Sequence, residues 1–128
     1  MSYYFARTLH CSFDEAVQRV TDALKKADFG IITEIDVKDT FRKKLGIDYR
    51  NYRILGACNP VIAREALEIE DKIGTMLPCN VVVQDVGEGS IEVAAIDPVA
   101  SMAAVENAAL QGPARKVADM LKSVVSTL

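Results

Sequence analysis

Between Ser12 and Ala27 the apolar residues Ala16, Val17, Val20, Ala23, Leu24 and Ala27 recur at three- and four-residue intervals. That spacing predicts a helix with one apolar face. Ser12 and Glu15 stand where a capping box would start it, and Gly30 lies just past its end. The same period returns at the end of the chain, where Ala114, Val117, Ala118, Leu121, Val124, Val125 and Leu128 form a stripe. Between these helices the pattern changes to short runs rich in branched and aromatic residues, which predict strands over 3–10, 31–37, 52–58, 80–86 and 90–96. Within 31–37, Ile31, Thr33, Ile35 and Val37 share one face by alternation, and Glu34 and Asp36 share the other.

The connections carry their own signals. Residues 39–46 predict a short helix or turn ending at Gly46, followed by a linker over 47–51. Asn59 can cap a helix whose first turn holds Pro60 and which runs to about Asp71. Strands 80–86 and 90–96 make a hairpin across Gly87-Glu88-Gly89, and Pro98 opens an alanine-rich helix that breaks at Gly112-Pro113. The whole reads as one domain over 1–128. It is α+β and two-layered, with about five strands in one sheet, helices packed on one face and the order β-α-β-β-α-β-β-α. Strands this rich in branched residues suggest that the second sheet face is also covered, with a homodimer as the expected cover.

Composition narrows the classes. The 128 residues are half hydrophobic, enough for a core without metal or disulfide staples. Fifteen basic and 18 acidic side chains leave a net charge of -3, which argues against a general nucleic-acid or anionic-membrane binder. No apolar run is long enough to span a bilayer, and the first twelve residues lack the pattern of a secretory signal. Three widely spaced cysteines do not make a disulfide framework. A soluble cytoplasmic protein with reduced thiols is expected.

The strings "ILGACNP" (54–60), "IGTMLPCNVVVQD" (73–85) and "VAAIDP" (93–98), with "ADFGIITEIDV" and "KKLGIDYRNY" upstream, resemble the family catalogued as domain of unknown function 302. The resemblance covers essentially the whole chain. It implies a small α+β fold, often dimeric, from bacteria and archaea, and it implies no established activity, cofactor or catalytic residue.

The candidate chemistry lies within Tyr52–Val86. Cys58 ends a strand and precedes the cap Asn59, so unpaired backbone N–H groups and the positive end of a helix dipole lie beside it. A thiol so placed ionises more easily and becomes a better nucleophile or metal ligand. The competing reading is a small buried hydrophobe at a tight turn. Cys79, after Pro78, could join it as a redox pair or a soft-metal site. A simple parallel crossover, however, would put the two sulfurs at opposite edges of the sheet. Arg42, Lys43, Lys44, Arg50 and Arg53 place five cations in twelve positions against one acid, Asp48. They could hold a carboxylate or phosphate, or simply be a solvated face. Tyr49 and Tyr52 could stack on a flat ligand or pack as ordinary half-buried aromatics. His10, the only histidine, lacks a partner and reads as structural or surface; Cys11 reads as an isolated thiol.

The leading expectation is a homodimeric domain, non-enzymatic or of a weakly characterised activity, binding a small anionic molecule in a cavity lined by Cys58, Asn59, Lys44, Tyr52 and Arg53, with no nucleic-acid or membrane partner. One alternative is a thiol-based redox or soft-metal-handling protein using Cys58 and Cys79. A second is a structural or interaction module without a ligand.

Overall fold

The computed structural model describes residues 2–128. Strands β1 (Tyr4–Leu9), β2 (Gly30–Asp36), β3 (Tyr52–Cys58), β4 (Cys79–Gly87) and β5 (Ser90–Ile96) form one sheet in the order β1-β5-β4-β3-β2. Every neighbouring pair is antiparallel. Helices α1 (Phe13–Lys26) and α5 (Gln111–Ser126) pack on one sheet face and on each other. Shorter helices α2 (Val37–Leu45), α3 (Pro60–Ile69) and α4 (Pro98–Ser101) occupy the connections.

Local rules account for most boundaries. Ser12 Oγ accepts from Glu15 N at 3.1 Å, starting α1, and Ala16, Val20 and Leu24 bury its apolar face completely. In α5 six of the seven stripe positions are buried, and Leu128 packs at the margin. The strands alternate: Leu55, Ala57, Val81, Val83, Val93 and Ala95 are buried under the helices. Burying side chains of this kind contributes roughly 1.5–3 kcal/mol for each Val or Leu. Gly87 pairs with Ser90, so the hairpin loop is the two residues Glu88-Gly89, with φ of 56° and 73°. Both positive angles suit the twist of the flanking strands.

Three expectations change. A bulge between Ile31 and Thr33 breaks the alternation in β2: Ile31 pairs with Ala57 and packs on the core, whereas Thr33 and Ile35 pair with Gly56 and Ile54. Ile35 consequently stands 49% exposed. The alanine-rich segment after Pro98 is helical only to Ser101; a 3-10 turn at Ala108–Leu110 then leads into α5. Asn107 shapes that turn, accepting from Ala109 N at 3.2 Å and donating to the Ile69 carbonyl at 3.2 Å. Gly112-Pro113 therefore lies in the first turn of α5 instead of breaking a helix, because a first-turn residue has no intrahelical N–H bond to lose.

The third change concerns topology. β3 and β4 are antiparallel neighbours, not strands joined by a parallel crossover. Antiparallel neighbours need a connection that leaves and re-enters the sheet at one end. α3 carries the chain out, and a 3-10 turn over Asp71–Met76 brings it back. Ile73, 2% exposed, pins this return against Ala66 and Leu110.

Candidate functional site

The return of the chain to the end of β3 builds the site. Ala57 pairs directly with Cys79, so Cys58, the next residue, is a diagonal neighbour of Cys79 at the same end of the sheet, its side chain leaving the opposite sheet face. The expected separation of the two thiols to opposite sheet edges is thus overturned by the antiparallel register. Cys58 is half-buried, Cys79 is buried, and both are free thiols, as is the half-buried Cys11 on the margin of the core.

Two close packings hold this end of the sheet. Gly56 has no side chain where one would collide: a Cβ there would lie 1.9 Å from Thr33 Oγ1 and 2.7 Å from Pro78 Cγ. The bare glycine backbone thus lets the Pro78 ring sit against β3, which fixes where Cys79 enters β4. On the other side Asn59 Oδ1 accepts from Ile62 N at 3.1 Å, and Pro60 occupies the first turn, so α3 starts immediately after Cys58. Asp97 caps α4 in the same manner, accepting from Val99 N at 3.0 Å, and this sets the buried Pro98 ring.

These elements border a partly open cavity of about 40 Å³ lined by Ala57, Cys58, Ile62, Cys79, Pro98 and Met102, among others. It is almost wholly hydrocarbon and sulfur. Its volume is enough for a water or two, or one small ion, and far below the few hundred Å³ typical of organic-ligand pockets. Burial pushes the Cys79 thiol up to about 11, with the neighbouring Cys58 adding to the shift. Cys79 is therefore a protonated thiol at neutral pH, not a resting thiolate.

The other expected site residues lie elsewhere. Tyr52 and Cys58 are opposite ends of β3, ~20 Å apart at strand rise. Tyr52 sits with Tyr49 and Phe41, at ring separations of 6.5 and 5.0 Å along that series. Arg53 is engaged by Glu34 at 3.2 Å and Asp36 at 3.4 Å, and its guanidinium lies 5.4 Å from the centre of the Phe13 ring. Lys44 is exposed on α2. Its neighbours are paired locally: Lys43 and Arg42 with Asp39, Lys38 with Asp48. Their cations, above all Lys43, hold the Asp39 carboxyl below its ordinary range. Among the described residues no Lys or Arg borders the cavity. The fold thus joins Cys58, Asn59 and Cys79 and leaves Lys44, Tyr52 and Arg53 outside. His10 is exposed, 3.5 Å from Ser90 Oγ.

Sequence reasoning missed Pro98 and Met102. Pro98 lies in one of the strings that carried the family resemblance, whereas Met102 follows a four-residue helix and has no periodic signal.

A family model described as domain of unknown function DUF302 matches residues 5–128. Among solved structures, the chain is similar to the crystal structure of an uncharacterized conserved DUF302 protein from Bacillus stearothermophilus, with a TM-score of 0.90. The two share 23% identity over 98% of each chain, a likeness that bears on the fold alone. Among curated proteins none matches the sequence. No helix among the described residues is long and apolar enough to cross a membrane.

Proposed function

The chain belongs to the DUF302 family, a membership that carries a fold and no activity, and from its site we propose that it binds a small thiophilic ligand through Cys58 and Cys79. The observation that carries this reading is that Cys58 and Cys79, from the ends of adjacent strands, both border one apolar cavity, with Cys58 close enough to add to the upward shift of the Cys79 thiol. Two thiols on one cavity can act on one ligand, and the apolar lining offers it few competing donors. The geometry favours this over the anionic ligand, because the cations that ligand needs lie at the far end of β3 or are already paired. Reduced thiols of this kind fit a reducing compartment.

Thiol accounting with mercuric ion tests the reading. One equivalent added to the native, reduced protein is expected to remove two titratable thiols. Cys58→Ser or Cys79→Ser should each cut this to one, and Cys11→Ser should leave it at two. Loss of only one thiol per mercury in the unaltered protein would contradict the pair.

The open sheet face supports the homodimer as a second reading. Tyr4 and Ile35 stand 43% and 49% exposed there, beside the half-buried Ile54, Val82, Ala94 and Ile96. A stable interface of ordinary size needs about 800 Å² from each partner, and a strip of this composition suits a second copy. Light scattering at increasing concentration tests it. A dimer that Val82→Glu dissociates is expected, and a monomer at all concentrations would rule it out.

A further inference from the structure

We infer that the cavity beside Cys79 accepts a small, uncharged and apolar guest, no larger than a xenon atom or a diatomic molecule. The inference rests on the reading above, in which Cys79 faces a ligand, and adds the class of that ligand: it reaches the thiol as a neutral species. The cavity lies on the seam between two hydrophobic clusters. Phe29, Ile62 and Val117 line it from the main core, and Ala66, Leu110 and Met102 line it from the smaller cluster around Ile73.

Rigid residues keep the space from closing. Pro78, Pro98 and Pro113 all border it, and a proline ring has no side-chain rotamer that could swing into a void. Each ring is fixed by its surroundings. Pro78 lies against the bare Gly56 backbone, Asp97 caps the turn that begins with Pro98, and Pro113 is buried in the first turn of α5. The neighbouring Ala57, Ala66 and Ala114 are too short to fill the space. Such a void forfeits the dispersion contacts that its lining would otherwise make, and an apolar guest restores them.

The lining selects by charge and by size. Among the described residues no Lys, Arg, His, Asp or Glu borders the cavity, so an ion would enter without a counter-charge. A buried water needs about two to four polar partners. Asn59 has already given its side-chain oxygen to the cap of α3, and the remaining wall is hydrocarbon and sulfur. The volume of about 40 Å³ lies well below the roughly 150 Å³ of an apolar cavity that takes benzene, so a ring is excluded.

Xenon, iodide and caesium ion are isoelectronic and each gives an anomalous signal, so together they vary charge while keeping a spherical shape. Crystals of the reduced, full-length chain are exposed to each in turn. A xenon peak among Ile62, Cys79 and Met102 is expected, with no iodide or caesium peak there. In solution, xenon at a concentration equal to its Kd should slow the alkylation of Cys79 about twofold and leave that of Cys11 unchanged. A cavity empty or water-filled under xenon, either ion inside it, or a Cys79 rate indifferent to xenon would each overturn the inference. The mercury titration separates it from the reading it rests on. If mercuric ion removes only one thiol while xenon enters, the neutral guest stands and the thiol pair falls. If two thiols are lost together and xenon stays out, the pair stands and the guest class falls.

Discussion

Replacing Gly56 by alanine would put a methyl group where the sheet has no room for one. Its Cβ would lie 1.9 Å from Thr33 Oγ1, 3.3 Å from Thr33 Cβ and 2.7 Å from Pro78 Cγ. The hydroxyl can rotate away only at the cost of a strained rotamer of the β-branched Thr33 side chain. The proline ring cannot, so either β4 shifts at Cys79 or β3 moves from β2. Alanine in an ordinary strand position is favoured over glycine by roughly 0.5–1 kcal/mol, which acts against the loss. Overpacking a tight site costs about 1–3 kcal/mol and sometimes more, and a rigid contact under 3 Å places this change at the upper end, about 3 kcal/mol net. For a domain of this size that is roughly 9–15 °C in Tm. Urea denaturation of Gly56→Ala, Thr33→Ala and the double variant reads the effect and its origin. Thr33→Ala removes the closest contact, so the double variant should recover about 1 kcal/mol, a non-additivity that contacting residues show and distant ones do not. Loss of less than about 1 kcal/mol in Gly56→Ala, or perfect additivity, would refute the claim that glycine is required here for the approach of Thr33 and Pro78.

Other consequences are equally concrete. In native protein the Cys79 thiol, pushed up to about 11 mainly by burial, should be alkylated by iodoacetamide more slowly than in unfolded protein at pH 8, its rate rising towards pH 11; a rate equal to that in urea would contradict its burial. The lowered Asp39 carboxyl stabilises the fold above its unfolded value of 3.8, and this contribution is lost as pH falls through the lower folded value. A Tm difference between the native chain and Asp39→Asn should therefore exist at pH 7 and vanish in strong acid. Arg53→Met should cost only about 1 kcal/mol, because it loses half-exposed ion pairs and a ring contact while relieving a buried Nε that has no partner. It should leave the mercury stoichiometry at two thiols, whereas any reduction would return Arg53 to the site.

How much of this was legible in the sequence follows from the range of the interactions involved. α1, α5 and the β4–β5 hairpin rest on spacing, caps and a glycine turn within a few residues of one another, and they stand where the pattern placed them. The fold class follows from those same local signals. The placing of Cys58 and Cys79 at the same end of adjacent strands does not, because it depends on whether the chain returns across α3. That return is secured by Ile73 against Ala66 and Leu110, and by Asn107 reaching the Ile69 carbonyl across 38 positions. No periodicity encodes such contacts. The basic run was visible as charge but not as geometry, since Asp39, Asp48, Glu34 and Asp36 neutralise it in place. The cap Asn59 was legible from Asn-Pro alone. The need for Gly56 was not, because it lies in the approach of Pro78 from 22 residues away.

The central claim is that Cys58 and Cys79 act on one ligand. It is tested most directly by the anomalous difference map of a crystal of the reduced protein exposed to one equivalent of mercuric ion. A single peak within bonding distance of both sulfurs is the expected result. A peak on Cys58 or Cys11 alone, with Cys79 untouched, would contradict it.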